Sequence, residues 1–517
     1  MPIDARDSAP RTESSIAFVC ALVGFGLAAS MIWETRDFAL DDAWIHLSYA
    51  KSLRAGDGLS YNPGDLETGF SSPLWVLALG VWPIAGNPVV PVKLLGALLH
   101  AATSWMGALL TLELAGRRSD EPKHPVPLAS LALLGGVLVA CSPTLLQAAT
   151  SGMEVPLAAF VLLATLREIL RGRAVLAAVL GMLSTWARPE LLGGVVAFSV
   201  VIATVGWRHR TEDPRVRAAG SAVFGSALGL AVWVVYCLAV SGYPWPNAQY
   251  IKGAGGGWSG LAYLRDEVLV WQPWLLSLTG VALIAIGLRE QTRAKQSGAW
   301  AIGFAFVATS VAIAVSRPLH PGVLFFESRY FTPLAPLPLV VLPLGLSALR
   351  PDARRWIRVA AFAALLPIAG LTGLQIWQLR GQLVEHTEDT RVLHTTVSEW
   401  LVDNLPPDAV VAVEGAGAHR FFTPRSFRIV DLVGLNHGAA AHAHFDRTAK
   451  LCVFVRERPT HLVIPADWAP LFSPPFAVRQ VAAFDDPHYS QVRPARRASV
   501  VVLEVGGVAS EWTDRCK

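Results

Sequence analysis

Apolar runs close to twenty residues long recur through the first three quarters of the chain, and near residue 381 they give way to short alternating stretches. A run of that length is what an α-helix needs to cross roughly 30 Å of hydrocarbon. The pattern predicts eleven spans, near residues 15–33, 89–115, 125–143, 153–170, 173–187, 190–206, 218–240, 273–288, 298–316, 331–349 and 357–378. One apolar piece, Ser71 to Gly86, is short and holds Pro73 and Pro83, so it is expected to dip into one leaflet rather than cross. Beyond residue 381, "RVLHTTVSEWLVDNL" has helical spacing, whereas "DAVVAVEG", "SFRIVDLVG", "THLVIPAD" and "ASVVVLEVG" read as strands rich in β-branched residues. The fold expected is a polytopic α-helical membrane protein, residues 1–380, followed by an α/β domain, residues 381–517.

Charge supplies the orientation. Five short loops, Arg117 to Lys123, Arg167 to Arg173, Trp207 to Arg217, Arg289 to Gln296 and Leu349 to Arg358, together hold seventeen Lys or Arg residues. By the positive-inside rule they share the cytoplasmic side, which places the amino terminus inside, residues 34–88 outside as one long loop, and the carboxy-terminal domain outside. The membrane is expected to be the cytoplasmic (inner) one. Composition agrees with a membrane protein: of 517 residues 53% are hydrophobic and 16% charged, with mean hydropathy +0.44. The net charge of +4 resides in those loops, not on one basic face, which argues against nucleic acid. The first apolar run is long, its leader is as acidic as it is basic, and further spans follow; it reads as a retained anchor, not a cleaved signal. Cys20, Cys141 and Cys237 lie in apolar runs, leaving Cys452 and Cys516 as the candidates for a disulfide.

On that topology, costly charged residues converge on one membrane face. They are Asp41, Asp42 and His46 with Tyr49 in "ALDDAWIHLSYAKSL", Glu67, Glu154 in "SGMEVP", Arg188 and Glu190 in "WARPEL", Asn247 and Lys252 in "WPNAQYIKG", and Glu327, Arg329 and Tyr330 in "FFESRYFTP". A carboxylate can accept the proton of an attacking hydroxyl while Arg or Lys neutralises a departing phosphate, so the set fits transfer from a lipid-linked phosphate. Each residue also has a structural reading. One Asp can cap the helix that follows, His46 can bond Asp42 one turn away, and Tyr49 and Tyr330 can be interfacial anchors. Glu67 can be solvated, Glu154 can favour a helix start, Arg188 and Glu190 can pair locally, and Arg329 can snorkel. If the helix begins at Ala43, Asp42 caps it and Asp41 is left for chemistry. Two adjacent carboxylates can hold a divalent cation but fall short of a site, so no metal or other cofactor is assigned.

The stretch "DDAWIHLSYAKSLRAGDGLSYNPGDLETGFSSPLW" resembles the first external loop of bacterial GT-C glycosyltransferases, polytopic enzymes that use polyprenyl-phosphate sugars. The likeness is to the branch that includes the terminal β-(1→2) arabinofuranosyltransferase of mycobacterial cell walls, and "SGMEVPL", "ARPE", "WPNAQYIK", "SRYFTPLAPL" and "RIVDLVGLN" are similar to further landmarks of it. Trp44 and Ala248 depart from the residues common there. The resemblance implies a GT-C core with short juxtamembrane helices, one of them at Ser71 to Gly86, and a periplasmic carboxy-terminal domain. It implies Asp41 or Asp42 as the catalytic pair, with Glu154, Arg188, Lys252 and Arg329 around the donor phosphate and sugar. From their place on the same face, Tyr330 is expected with the donor phosphate, and His46, Glu67, Glu190 and Asn247, like Glu154, toward substrate. The implied donor is a polyprenyl-phosphate sugar such as decaprenyl-phosphoryl arabinofuranose, and the acceptor a cell-envelope glycan or glycolipid. A polytopic transporter is the alternative, but no internal repeat with matched broken spans is visible.

Overall fold

The structure, a computed structural model, describes residues 9–35, 37–84, 86–116, 127–208, 213–251, 260, 262–265, 277–294, 296–316, 328–348, 363, 365–490 and 497–517. Among them, four helices are long and apolar enough to cross a membrane: Ser14–Ile32, Val89–Ala115, Pro214–Ser241 and Gly298–Ser316. The bent pair Leu128–Ala140 and Pro143–Thr150 makes a fifth if it is one span; the two halves differ by 54°. Pro143 explains the bend, because it forces Ser142 out of helical geometry to ψ 119. Shorter helices occupy other expected segments, at Val155–Leu170, Ala174–Ala187, Leu191–Arg208 and Leu278–Arg293. The stretch near 331–349 is not one regular helix. Pro333, Pro336, Pro338 and Pro343 interrupt its hydrogen bonding, leaving the helix Pro336–Val341 between 3₁₀ turns Thr332–Leu334 and Leu342–Ala348.

The apolar piece from Ser71 to Gly86 holds one helix, Pro73–Val81, of 9 residues. At about 1.5 Å per residue it is far too short to cross. The Ser72 hydroxyl caps it by accepting from Trp75 N at 3.3 Å. Small residues let the long helices close on one another: a Cβ on Gly225 of Pro214–Ser241 would lie 1.9 Å from the Ala178 carbonyl of Ala174–Ala187.

The helix Leu366–Thr390 runs through a π turn, Arg391–Thr395, into Thr396–Asn404, so residue 381 lies inside a helix. The carboxy-terminal strands are β3 (Val410–Val413), β4 (Arg428–Asp431), β5 (His461–Pro465), β6 (Phe476–Asp486) and β7 (Ala498–Val508), after a small hairpin of β1 (Ser60–Asn62) and β2 (Asp65–Leu66). They form one sheet in the order β4-β3-β5-β7-β6, with β3 parallel to both neighbours and β7 antiparallel to both of its own. Alternate residues enter opposite cores, as a strand's period of two requires. Val411, Val413, Ile429 and Val463 pack with Val397 and Leu401 of the long helix and with Tyr49, Tyr61 and Phe70. Ala412, Val430, Leu462 and Ile464 pack with Leu451, Phe454 and Val455. Four strands coincide with the predicted ones. β6 escaped prediction because "FAVRQVAAFDD" is a largely exposed edge whose Ala, Arg and Gln residues carry little strand preference.

Cys452 and Cys516 form a disulfide across a separation of 64 residues, joining helix Arg447–Glu457 to the carboxy-terminal helix Ser510–Arg515. Reduction is expected to lower the stability of this domain by about 2–4 kcal/mol. Thermal unfolding with and without reductant measures it, and Cys452→Ser should reproduce the reduced value.

A second corner titrates. Asp389 stands in the last turn of helix Leu366–Thr390 and Asp486 ends β6, both buried, and Ser490 donates from N and Oγ to Asp389 Oδ2 at 3.0 and 2.7 Å. Burial, helped by Asp486 and opposed by Ser490, pushes the Asp389 carboxyl up to about 7. A carboxyl raised in the fold contributes stability that is complete below the ordinary Asp range and lost as pH rises through about 7. The melting temperature should therefore fall across that range, and Asp486→Asn should flatten the fall.

Candidate active site

The helix Asp42–Arg54 opens on the two adjacent carboxylates, and the fold sends them in different directions. Asp41 is the N-cap residue by position, its carbonyl accepting from Trp44 N at 2.9 Å, but its side chain does not cap its own helix. Its two carboxylate oxygens accept instead from Gly417 N at 2.6 Å and Ala418 N at 2.8 Å, at the start of helix Ala416–Phe422 in the sheet domain. His394 Nδ1 lies 3.9 Å away. Asp42, the first helical residue, faces a cavity of about 450 Å³ and pairs with Arg329 at 2.8 Å. The expectation from sequence was the reverse: Asp41 free and Asp42 capping. The helix starts one residue earlier than expected, so it is Asp42 that turns inward.

The other charged walls of the cavity come from chain breaks. Glu154 follows the tight turn "SGM", where Gly152 sits at φ +77 against the Phe38 ring with no room for a Cβ. Arg188 ends helix Ala174–Ala187 because Pro189 follows and holds it extended at φ −159, ψ 122. That geometry aims its guanidinium at Glu154 (2.6 Å) and Glu190 (3.4 Å). Tyr330 lies against both cations, its ring centre 5.0 Å from Arg188 and 5.4 Å from Arg329. His46, one turn after Asp42, donates from Nδ1 to the Asp42 carbonyl at 3.1 Å and brings Nε2 to 4.0 Å from Glu154. Burial pushes this imidazole below its usual range against the pull of Glu154 and Asp42. Asp42, His46, Glu154, Arg188, Glu190, Arg329 and Tyr330 thus line one space, from four separate segments of the sequence.

Besides Asp41, three candidates among the described residues lie outside that lining: Asn247, Glu67 and Tyr49. Asn247 is fully buried; it donates to Glu67 at 2.9 Å and to the Leu435 carbonyl at 3.2 Å, and accepts from Thr68 at 3.0 Å. Glu67 also accepts from Gly438 N at 3.0 Å, so these two polar residues join the first loop to the sheet domain. Tyr49 belongs to the same joint, donating to Asn436 at 3.0 Å. Lys252 and Glu327 lie outside the described residues.

The joint rests on a residue that the sequence reading did not single out. Asp431, fully buried at the carboxyl end of β4, accepts from the N–H groups of Val433, Gly434 and Asn436 and from the Asn436 side chain, at 2.8–3.0 Å. Burial pushes its carboxyl up against the pull of those four bonds. The loop so fixed holds Asn436 against Tyr49 and puts Leu435 in the cavity wall. The signal was present in "RIVDLVGLN", an Asp at a strand end before Gly and Asn. Among the described residues, no group of three or more His, Cys, Asp or Glu has the arrangement to hold a metal ion.

Residues 377–503 match the model of a domain of unknown function (DUF8728). Over 404 residues, 70% of this chain, the sequence is 26% identical to the terminal beta-(1->2)-arabinofuranosyltransferase of Mycobacterium tuberculosis. The matched part spans 61% of that relative's length. ArnT from Cupriavidus metallidurans bound to undecaprenyl phosphate superposes with a TM-score of 0.58 at 14% identity, over 94% of this chain and 97% of ArnT. An oligosaccharyltransferase from Archaeoglobus fulgidus gives 0.53 at 12% identity, over 90% of this chain and 73% of its own. The chain is therefore a multi-pass membrane protein with the GT-C glycosyltransferase fold, similar in sequence to a mycobacterial arabinofuranosyltransferase.

Proposed function

We propose that the protein moves a sugar, arabinofuranose by its sequence likeness, from a polyprenyl phosphate to a cell-envelope glycan or glycolipid at the outer face of the cytoplasmic membrane. The observation that carries this reading is the shared cavity of Asp42, Arg329 and Arg188, which joins a carboxylate to two cations in a recess between apolar helices. The likeness to ArnT, solved with undecaprenyl phosphate, supports the lipid phosphate as carrier.

In the reaction, Asp42 takes the proton of the acceptor hydroxyl as its oxygen bonds to the anomeric carbon of the donor sugar. The bond from that carbon to the phosphate oxygen breaks, and the lipid phosphate leaves with the electron pair. Arg329 and Arg188 neutralise the charge it gains, which is worth most in a recess of low dielectric. Glu154 and Glu190 hold Arg188 in place through its other contacts. Asp41 acts at a distance from the chemistry, binding the sheet domain to the first loop. With residues 34–88 and the sheet domain on the outer face, that domain covers the cavity from outside and leaves the long apolar helices to the bilayer.

Asp42→Asn should lower the transfer rate by a factor of about 10²–10⁴ and, by removing the carboxylate paired with the buried Arg329, also lower the melting temperature, while proteolysis at the sheet domain stays unchanged. Asp41→Ala should instead destabilise the joint by about 1–3 kcal/mol and speed proteolysis at the sheet domain, because two N–H groups lose their acceptor. Transfer of labelled sugar from a polyprenyl-phosphate donor, scored beside limited proteolysis, separates the two. Full transfer by Asp42→Asn would sink the assignment of the base.

A further inference from the structure

Two polar atoms in the cavity wall have no hydrogen-bond partner among the described residues: His46 Nε2 and Glu154 Oε2. The residues are 3% and 1% exposed, and the two atoms stand 4.0 Å apart, beyond the reach of a hydrogen bond. The second polar atom of each is committed. Glu154 Oε1 accepts from Arg188 at 2.6 Å. His46 Nδ1 is 3.1 Å from the Asp42 carbonyl, which can only accept, so the ring hydrogen resides on Nδ1. With the imidazole neutral in its buried setting, Nε2 presents a lone pair. The wall therefore carries two acceptors side by side, neither able to satisfy the other, and both call for donors.

We propose that His46 Nε2 and Glu154 Oε2 are the specificity-determining pair that reads two adjacent hydroxyl groups of the donor sugar, each hydroxyl donating to one acceptor. The proposal rests on the glycosyl-transfer reading above. Within the cavity the chemistry sorts the donor's two ends. A phosphate carries acceptors and negative charge, which Glu154 repels and Arg329 attracts, so the lipid phosphate sits toward the arginines. Sugar hydroxyls on neighbouring carbons are the part of the donor that offers paired hydrogens at close spacing. A site built to hydrogen-bond a hydroxyl discriminates strongly against an analogue lacking it, because a buried acceptor is then left unsatisfied.

The test uses the full chain purified in detergent and measures binding of bare polyprenyl phosphate and of a panel of polyprenyl-phosphoryl pentoses and hexoses. The sugar that most strengthens wild-type binding over the bare phosphate is carried forward, with its single-deoxy analogues. His46→Phe, which keeps a ring but removes the acceptor, and His46→Ala should each weaken binding of the sugar-bearing donor roughly tenfold and leave bare polyprenyl phosphate unchanged. One deoxy donor should show the same roughly tenfold loss on the wild type and no further loss on either variant. Unchanged bare-phosphate binding also certifies that the variants are folded. Equal weakening of both ligands would reassign His46 to a structural role, and no weakening of either, or no sugar that improves on the bare phosphate, would overturn the pair as a hydroxyl reader. Failure of the wild-type protein to bind any polyprenyl phosphate overturns the donor reading itself, a result distinct from the others.

Discussion

The carboxylate of Asp41 binds two parts of the chain 376 residues apart in sequence, by taking the first N–H groups of helix Ala416–Phe422. Those groups have no partner within their own helix, and a short helix buried against another surface must find one. The rest of the joint follows the same demand. The Asn62 side chain pairs with edge strand β4 as a neighbouring strand would, accepting from Ile429 N and donating to Ile429 O at 3.0 Å each. Tyr61 donates to the Ala416 carbonyl at 2.6 Å, and Glu67 accepts from Gly438 N. The carboxyl edge of the parallel strands thus docks on the first loop, and that docking sets Leu435 in the cavity wall.

The cavity itself is a balance of buried charge. Arg188 and Arg329 face Asp42, Glu154 and Glu190, so each cation meets at least one carboxylate. Unpaired, such groups would be too costly in a recess of low dielectric; paired, they form a wall that is polar but fixed. The fixing comes from backbone breaks. Pro189 extends Arg188, Gly152 lets the chain turn beside Phe38, and the start of helix Asp42–Arg54 points one of two neighbouring carboxylates inward.

Much of this was legible in the residues. Most of the described helical segments before residue 320, four of the five sheet strands and the convergence of His46, Glu154, Arg188, Glu190, Arg329 and Tyr330 followed from apolar periodicity, β-branched runs and charges beside span ends, whereas the proline-broken stretch 331–348 did not. The short helix Pro73–Val81 was legible as a piece that does not cross. Edge strand β6 and the nest around Asp431 were not, because an exposed edge carries no strong pattern and a single Asp at a strand end resembles many ordinary turns.

Sequence by itself determined which segments are apolar enough to bury, which residue types stand at their ends, and the resemblance those residues carry, since period and composition are local properties. Only the tertiary structure decided the division between Asp41 and Asp42. Adjacent residues on a helix start differ by about 100° in direction, and which one meets a cation and which meets two N–H groups depends on Arg329 and Gly417, hundreds of residues away. It likewise decided that Glu67 and Asn247 serve the joint and that His46 and Glu154 face each other with one acceptor apiece to offer, because hydrogen-bond partners across such distances exist only once the chain is folded.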